Sequence, residues 1–464
     1  MSASVQHSRY FNLRIIAVLG SVTLMPLVSQ AVPSFARQLD VSCTTCHTEF
    51  PILNELGRTF KLNGYTMSSG KSELPPLALM IQPSFTQTNT GQPGGAAPGY
   101  HNNSNFAVDQ ISIFYSGRLF GPYAEQIFGT DVGGFLNKFG TFIQTTYDGI
   151  GEAWSWDNAE LRYSDNGMIG DKPVTYGFYL NNNPGMQDPW NTMPAWGFPF
   201  SGSALAPTPG AATLIDGGLG QQVLGLGGYM LISNSFYIDL AAYHTLSTGF
   251  QKSMGVDPNG DAHQVPGLAP YWRGAYTKSV GNQSYEVGFF GMAADTYPGR
   301  DSSAGKDRLI DWGIDTEYQA SFDKSDITGL VSCIYENQGW DASKALGLTS
   351  NSSDELWAFK ATLDYLYDKT YGGAIGYFFV NGSHDPVPGS GTKGSPLSDG
   401  LILQLNWMPL NKGGGPDFWP RSNVKFSLQY EIFNRFDGSR KNYDGAGRNA
   451  SDNNTLYFQA WLAM

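Results

Sequence analysis

Cys43, Cys46 and His47 form the run Cys-Thr-Thr-Cys-His, in which two thiols three residues apart are followed at once by an imidazole. Each thiol of such a pair can add to a vinyl group of haem to give a thioether, and the histidine is then placed to coordinate the iron from one side. A chance match and a zinc half-site are the ordinary alternatives, but a half-site needs a second cysteine pair, and the only other cysteine is Cys333. One motif implies one covalently attached haem c per chain. The opposite ligand is open: Met80, in Leu-Pro-Pro-Leu-Ala-Leu-Met, is the first choice, Met67 the alternative and His101 the histidine option, with another ligand or none also left open. Methionine would raise the iron's potential relative to a second histidine, although a methionine is by default core filling. Cys333 reads as a small buried side chain, and no structural disulfide is expected. No catalytic triad accompanies the motif, which points to electron transfer rather than bond making.

The elements that must position these residues start with an export signal over residues 1–31. Arg9 and Arg14 precede an apolar stretch, Ile15 to Val28, that Pro26 interrupts, too short and broken to span a membrane permanently. Ser29 and Ala31 suit cleavage after Ala31; Ser34 and Ala36 offer a second site. Haem is joined to such motifs outside the cytoplasmic membrane, so the signal and the motif support each other. Residues 32–76 form the haem domain. Within it Phe50, Leu53, Leu56 and Phe60 recur at spacings of three and four, one apolar stripe of a short helix with Pro51 near its start and Gly64 at its end.

Residues 77–464 change to a period of two. Trp357, Phe359, Ala361, Leu363, Tyr365 and Tyr367 alternate with Lys360, Thr362 and Asp364, and Ile310, Trp312, Ile314 and Tyr318 alternate with Asp311, Asp315, Glu317 and Gln319. A soluble sandwich alternates too, but these strands are long enough to cross a bilayer at a tilt and carry aromatics near their ends. Charged residues are 15% of the chain, against about 25% in soluble proteins, and no later run approaches the ~18 apolar residues of a membrane helix. About sixteen strands can be marked, beginning near residues 78, 106, 139, 157, 173, 222, 235, 269, 284, 308, 325, 354, 370, 398, 422 and 455. The expected fold is therefore mainly β: a small α-helical cytochrome c domain followed by an antiparallel outer-membrane barrel. The last strand alternates to the final residue through Leu456, Phe458, Ala460, Leu462 and Met464. The stretch from Pro184 to Gly220 is too irregular for strand and reads as an external loop or a constriction folded into the lumen. A formal charge of -12 argues against a nucleic-acid partner. The carboxylates Asp311, Asp315, Glu317, Glu286 and Glu431 should face the lumen, where they could attract cations or serve as plain polar lining.

With its flanks, FARQLDVSCTTCHTEFPILNELGRTFKLNGYT, the motif resembles the outer-membrane cytochrome-porin fusion family of iron-oxidising bacteria. NNNPGMQDPWNTMPAWGFP, APYWRGAY, DWGIDTEYQ and GRNASDNNTLY extend the likeness over nearly the whole mature chain. The resemblance implies a single-haem domain plugging or lining a barrel in the outer membrane. It also implies Fe(II) as electron donor at the cell exterior and a periplasmic cytochrome or other soluble carrier as acceptor, an iron:cytochrome c type of oxidoreductase. Cys43, Cys46 and His47 carry over onto the family's haem motif, and Met80 by its place in a Pro-Leu-rich segment before the first strand; the iron contact is assigned to no residue. Two other classes stay open, a solute channel with a haem-bearing plug, and a peroxidase or sensor with an open iron position.

Overall fold

The structure, a computed structural model, describes residues 32–72, 74–193, 201–256, 264–387, 393–412, 415–416 and 421–464. The signal-peptide reading, residues 1–31, lies outside the described residues; Ala36, the second cleavage option, sits inside the first helix, α1 (Pro33–Leu39). Among the described residues sixteen strands, from β1 (Leu77–Thr88) to β16 (Thr455–Ala463), pair antiparallel with their neighbours in sequence, and β1 pairs with β16 to close a barrel. Met464 continues the seam, exchanging both backbone hydrogen bonds with Leu79 at 2.8 Å.

Fifteen of the sixteen strands start within one residue of their expected position. The exception is β4 (Ala153–Ile169), expected from 157. A bulge where β4 pairs with β3 (Phe139–Asp148), between Ile143 and Thr145, lets Asp157 and Asn158 both face inward. That breaks the period of two, so alternation becomes readable only beyond it.

Polarity is inverted relative to a soluble barrel. On β10 (Asp307–Phe322), Trp312 and Ile314 are 45% and 61% exposed, while Asp311, Asp315 and Glu317 are buried. Tyr276, Tyr285, Tyr318, Tyr365, Tyr367, Tyr371 and Trp407 ring the outer surface near one end. At that end most connections are tight, as from Ile169 to Lys172, Val280 to Gln283 and Phe322 to Ser325; at the other they run long, as from Asn181 to Val223. No helix among the described residues is long and apolar enough to cross a membrane. Cys333, expected to be buried, stands instead on the outward-facing row of β11 (Ser325–Gly339), partly exposed and unpaired.

The lumen is filled from both ends. Residues 32–72 enter at the tight-turn mouth. From the other end the connection between β5 (Lys172–Asn181) and β6 (Val223–Ile232) folds inward, so that Asn182 through Met193 are all buried and Leu214, Ile215 and Leu219 join the interior core. The described parts of that connection settle the earlier choice in favour of a constriction.

Four of the five interior carboxylates are engaged by other groups of the chain, which is the polar-lining reading of them. Arg273 on β8 (Ala269–Val280) lies 2.6 Å from Asp315 and 3.1 Å from Glu286; Arg58 lies 2.6 Å from Glu317; Asp311 accepts the Ile215 amide at 2.7 Å. Glu431, on the inward row of β15 (Asn423–Arg435), is half-buried. A buried charge must be paired to be tolerated, and such pairs fix position more than they add net stability.

Candidate haem site

The motif is held by a turn, a cap and a helix. A 3-10 turn over Cys43–Thr45 is closed by the Cys46 and His47 amides donating to the Cys43 carbonyl at 3.2 and 3.1 Å, which gathers both thiols and the imidazole into one compact turn. Asn54 then serves two elements. Its amide nitrogens donate to the carbonyls of Cys46 at 2.9 Å and Thr45 at 3.0 Å, while its side-chain oxygen caps α2 (Glu55–Leu62) by accepting the Gly57 amide at 3.1 Å. At Gly57 a Cβ would lie 2.3 Å from the Cys46 carbonyl oxygen, so the helix meets the motif backbone to backbone and only glycine fits.

The expected helical stripe is half right. Capping by Asn54 delays the helix until Glu55, so Phe50 and Leu53 precede it, and Leu56 points outward at 39% exposure. Phe50 packs edge-on against Trp461 of the barrel wall, ring centres 5.4 Å apart. Gly64, at φ +63, ends the turn after the helix as expected.

Cys43, Cys46 and His47 all line one partly open, mostly apolar cavity. Apolar side chains, among them Val32, Phe35, Leu53, Phe60 and Phe142, form most of its surface; Ser42, Lys61, Tyr65, Met186 and Asn191 are its other functional groups. The cysteines are not joined to each other. Burial, with Cys43 adding to it, pushes the Cys46 thiol up to about 11, so both sulfurs are held as thiols. Burial also pulls His47 down to about 4, against the nearby carbonyls of Pro51 and Ile52, and the ring is neutral, the form that binds metals. His47 is half-buried and lines the cavity, and its Nδ1 is buried without a hydrogen-bond partner. Two unpaired thiols, a neutral imidazole with an orphaned nitrogen and a largely apolar cavity fit a covalently held haem.

The other sequence candidates are elsewhere. Met80 is fully buried in β1, where its sulfur accepts from the Gln82 side chain at 3.2 Å; it belongs to the apolar cluster that also supplies Phe60, Phe142 and Met186 to the cavity, but does not itself line it. Met67 packs at the edge of the same cluster, also off the cavity. His101 is exposed beyond β1, at the long-loop mouth. Met186, which sequence reasoning missed, does line the cavity. It stands in Asn-Pro-Gly-Met-Gln, a stretch without period, and only its inward fold reveals it.

The unit is anchored to the wall at several points. Arg58 donates to Ser284 at 2.6 Å and Gln319 at 3.0 Å besides pairing with Glu317. Glu49 pairs with Lys425 and accepts from Asn406, both at 2.6 Å. Arg162 donates to the Lys61 carbonyl at 3.0 Å, and Lys61 itself to the Asp188 carbonyl of the inward loop at 2.7 Å.

No protein-family model matches the chain, and no curated protein matches it significantly. Similar solved structures include the outer membrane channel DcaP of Acinetobacter baumannii, 10% identical, with a TM-score of 0.45, covering 84% of this chain and 96% of that one. The anion-selective porin from Comamonas acidovorans is 10% identical, with a TM-score of 0.44, covering 83% and 98%. Pseudomonas putida OprB is 11% identical, with a TM-score of 0.44, covering 83% and 92%. Likeness of this degree says nothing of what the chain binds or passes.

Proposed function

We propose that this protein is an outer-membrane electron conduit, holding one haem c through Cys43, Cys46 and His47, that takes electrons from Fe(II) at the cell exterior and passes them to a periplasmic carrier. The observation that carries this reading is that Cys43, Cys46 and His47 meet on one apolar cavity inside the barrel, in a unit that also occupies the lumen. An apolar outer surface, an aromatic rim and tight turns at one end support the outer membrane, with the tight-turn mouth toward the periplasm. The resemblance of the motif and its flanks to cytochrome-porin fusions supplies Fe(II) as donor.

Bound here, a haem supplies a one-electron centre. The chain's own residues do the rest. Phe35, Phe60 and Phe142 exclude water from the cavity, Asn54 and Gly57 hold the motif on α2, and Arg58 and Glu49 fix the unit against the wall. No general acid or base is required.

A solute channel is the second reading, favoured by the closed sixteen-strand wall. Against it stands a lumen packed from both ends. The test is to add Fe(II) to the haem-loaded protein in detergent. Appearance of the reduced haem band, absent in Cys43→Ala/Cys46→Ala, is the expected result; reduction by dithionite but not by Fe(II) would sink iron as donor.

A further inference from the structure

Among the described residues, Met186 is the one thioether on the cavity that holds Cys43, Cys46 and His47. We propose that it is the second axial ligand of the haem iron. The proposal rests on the haem reading of that cavity and adds to it the identity of the ligand.

The cavity offers few donors besides the motif, and the Ser42 hydroxyl is committed to the Thr44 hydroxyl at 2.8 Å. Tyr65 is committed, its hydroxyl donating to Glu160 at 3.0 Å. Lys61 is committed to the Asp188 carbonyl at 2.7 Å. Asn191 presents an amide, a poor ligand for haem iron, and reaches toward the Pro51 carbonyl at 3.5 Å. Met186 is 2% exposed, and a neutral soft sulfur is a donor that haem iron accepts opposite histidine. Met80 differs on both counts, being off the cavity with its sulfur already taking a hydrogen bond from Gln82.

The segment presenting Met186 is built to stay still. Gly185, at φ +82, makes the turn, and the Met186 amide donates to the Asn183 carbonyl at 3.3 Å. On one side Asn183 is tied to Asn158 of the wall at 2.8 Å. On the other the Asp188 carboxylate gathers the amides of Trp190, Thr192 and Met193 at 3.0, 3.0 and 3.1 Å. A ligand on a segment so restrained is pre-organised, so little entropy is lost when it binds.

The ligand set therefore joins two parts of the chain that reach the lumen from opposite ends. His47 comes with the unit inserted at the tight-turn mouth, and Met186 with the loop that folds in from the long-loop end. Binding through both residues would tie the plug to the constriction.

The test uses the haem-loaded full chain in detergent and reads the ligand spectroscopically, not by activity. Ferric wild type is expected to be low-spin with the near-infrared charge-transfer band of a methionine-ligated haem. Met186→Leu, which keeps the volume, is expected to lose that band, turn high-spin and bind carbon monoxide rapidly once reduced. Met186→His is expected to return to low-spin without the band and with a lower midpoint potential. Met80→Leu and Met67→Leu are expected to keep the wild-type spectrum. A wild type without the methionine band overturns the proposal, as does a Met186→Leu protein that keeps the band or a Met80→Leu protein that loses it. Absence of covalently bound haem from denatured wild type is a different failure, and sinks the haem reading itself.

Discussion

The close approach at Gly57 makes the motif sensitive to a single methyl group. Gly57→Ala must push α2 off the Cys46 carbonyl, which should cost about 1–3 kcal/mol and lower the fraction of chains that acquire covalent haem. Haem staining of denatured protein, normalised to total chain, measures it; unchanged loading would show that the helix can shift freely. Lys61 gives a pH signature. Burial and the neighbouring Arg162 pull its pKa from 10.5 down to about 7. The unfolded chain then holds a proton that the folded chain lacks between those values, so this group's contribution to stability falls as pH drops from 10.5 to 7. The stability of wild type relative to Lys61→Met should accordingly rise between pH 7 and 10 in denaturant titrations, and a flat difference would contradict a neutralised Lys61. Cys43, Cys46 and His47 were legible because their chemistry is local, five consecutive positions. Met186 was not, since its role depends on where a loop without period folds.

At the scale of elements, the barrel was nearly all readable, because alternation over many residues leaves little choice of register or face. It failed at β4, where a bulge hides the period, and at α2, where Asn54 captures the helix start and displaces Phe50 and Leu53 from the expected stripe. Alternation also put the carboxylates on the inner face without disclosing their partners, which come from the plug, the inward loop and the nearby strand β8. The Arg58–Glu317 pair is the clearest of these contacts. Arg58→Ala leaves Glu317 buried and unpaired, a loss of about 3–5 kcal/mol that should fall on docking of the plug. Hydrogen exchange at the amides of α2 should then speed up while the β10 and β11 ladder stays protected. Equal exchange in variant and wild type would mean the pair does not hold the plug.

For the molecule as a whole, the outer wall, the plug and the inward loop make a packed barrel, and on the proposed reading that barrel would separate two compartments while carrying a redox site between them. Planar-bilayer recordings of the intact chain should show little or no steady ion conductance, and a variant lacking residues 32–72 should conduct measurably more. Equal conductance would favour the channel reading. The central claim is that electrons cross and solutes do not, and proteoliposomes with an oxidised soluble cytochrome trapped inside test it directly when Fe(II) is added outside. The trapped cytochrome should be reduced with no iron found in the vesicle interior, and Cys43→Ala/Cys46→Ala should abolish the reduction; reduction that appears only together with iron entry, or that survives in that variant, would contradict it.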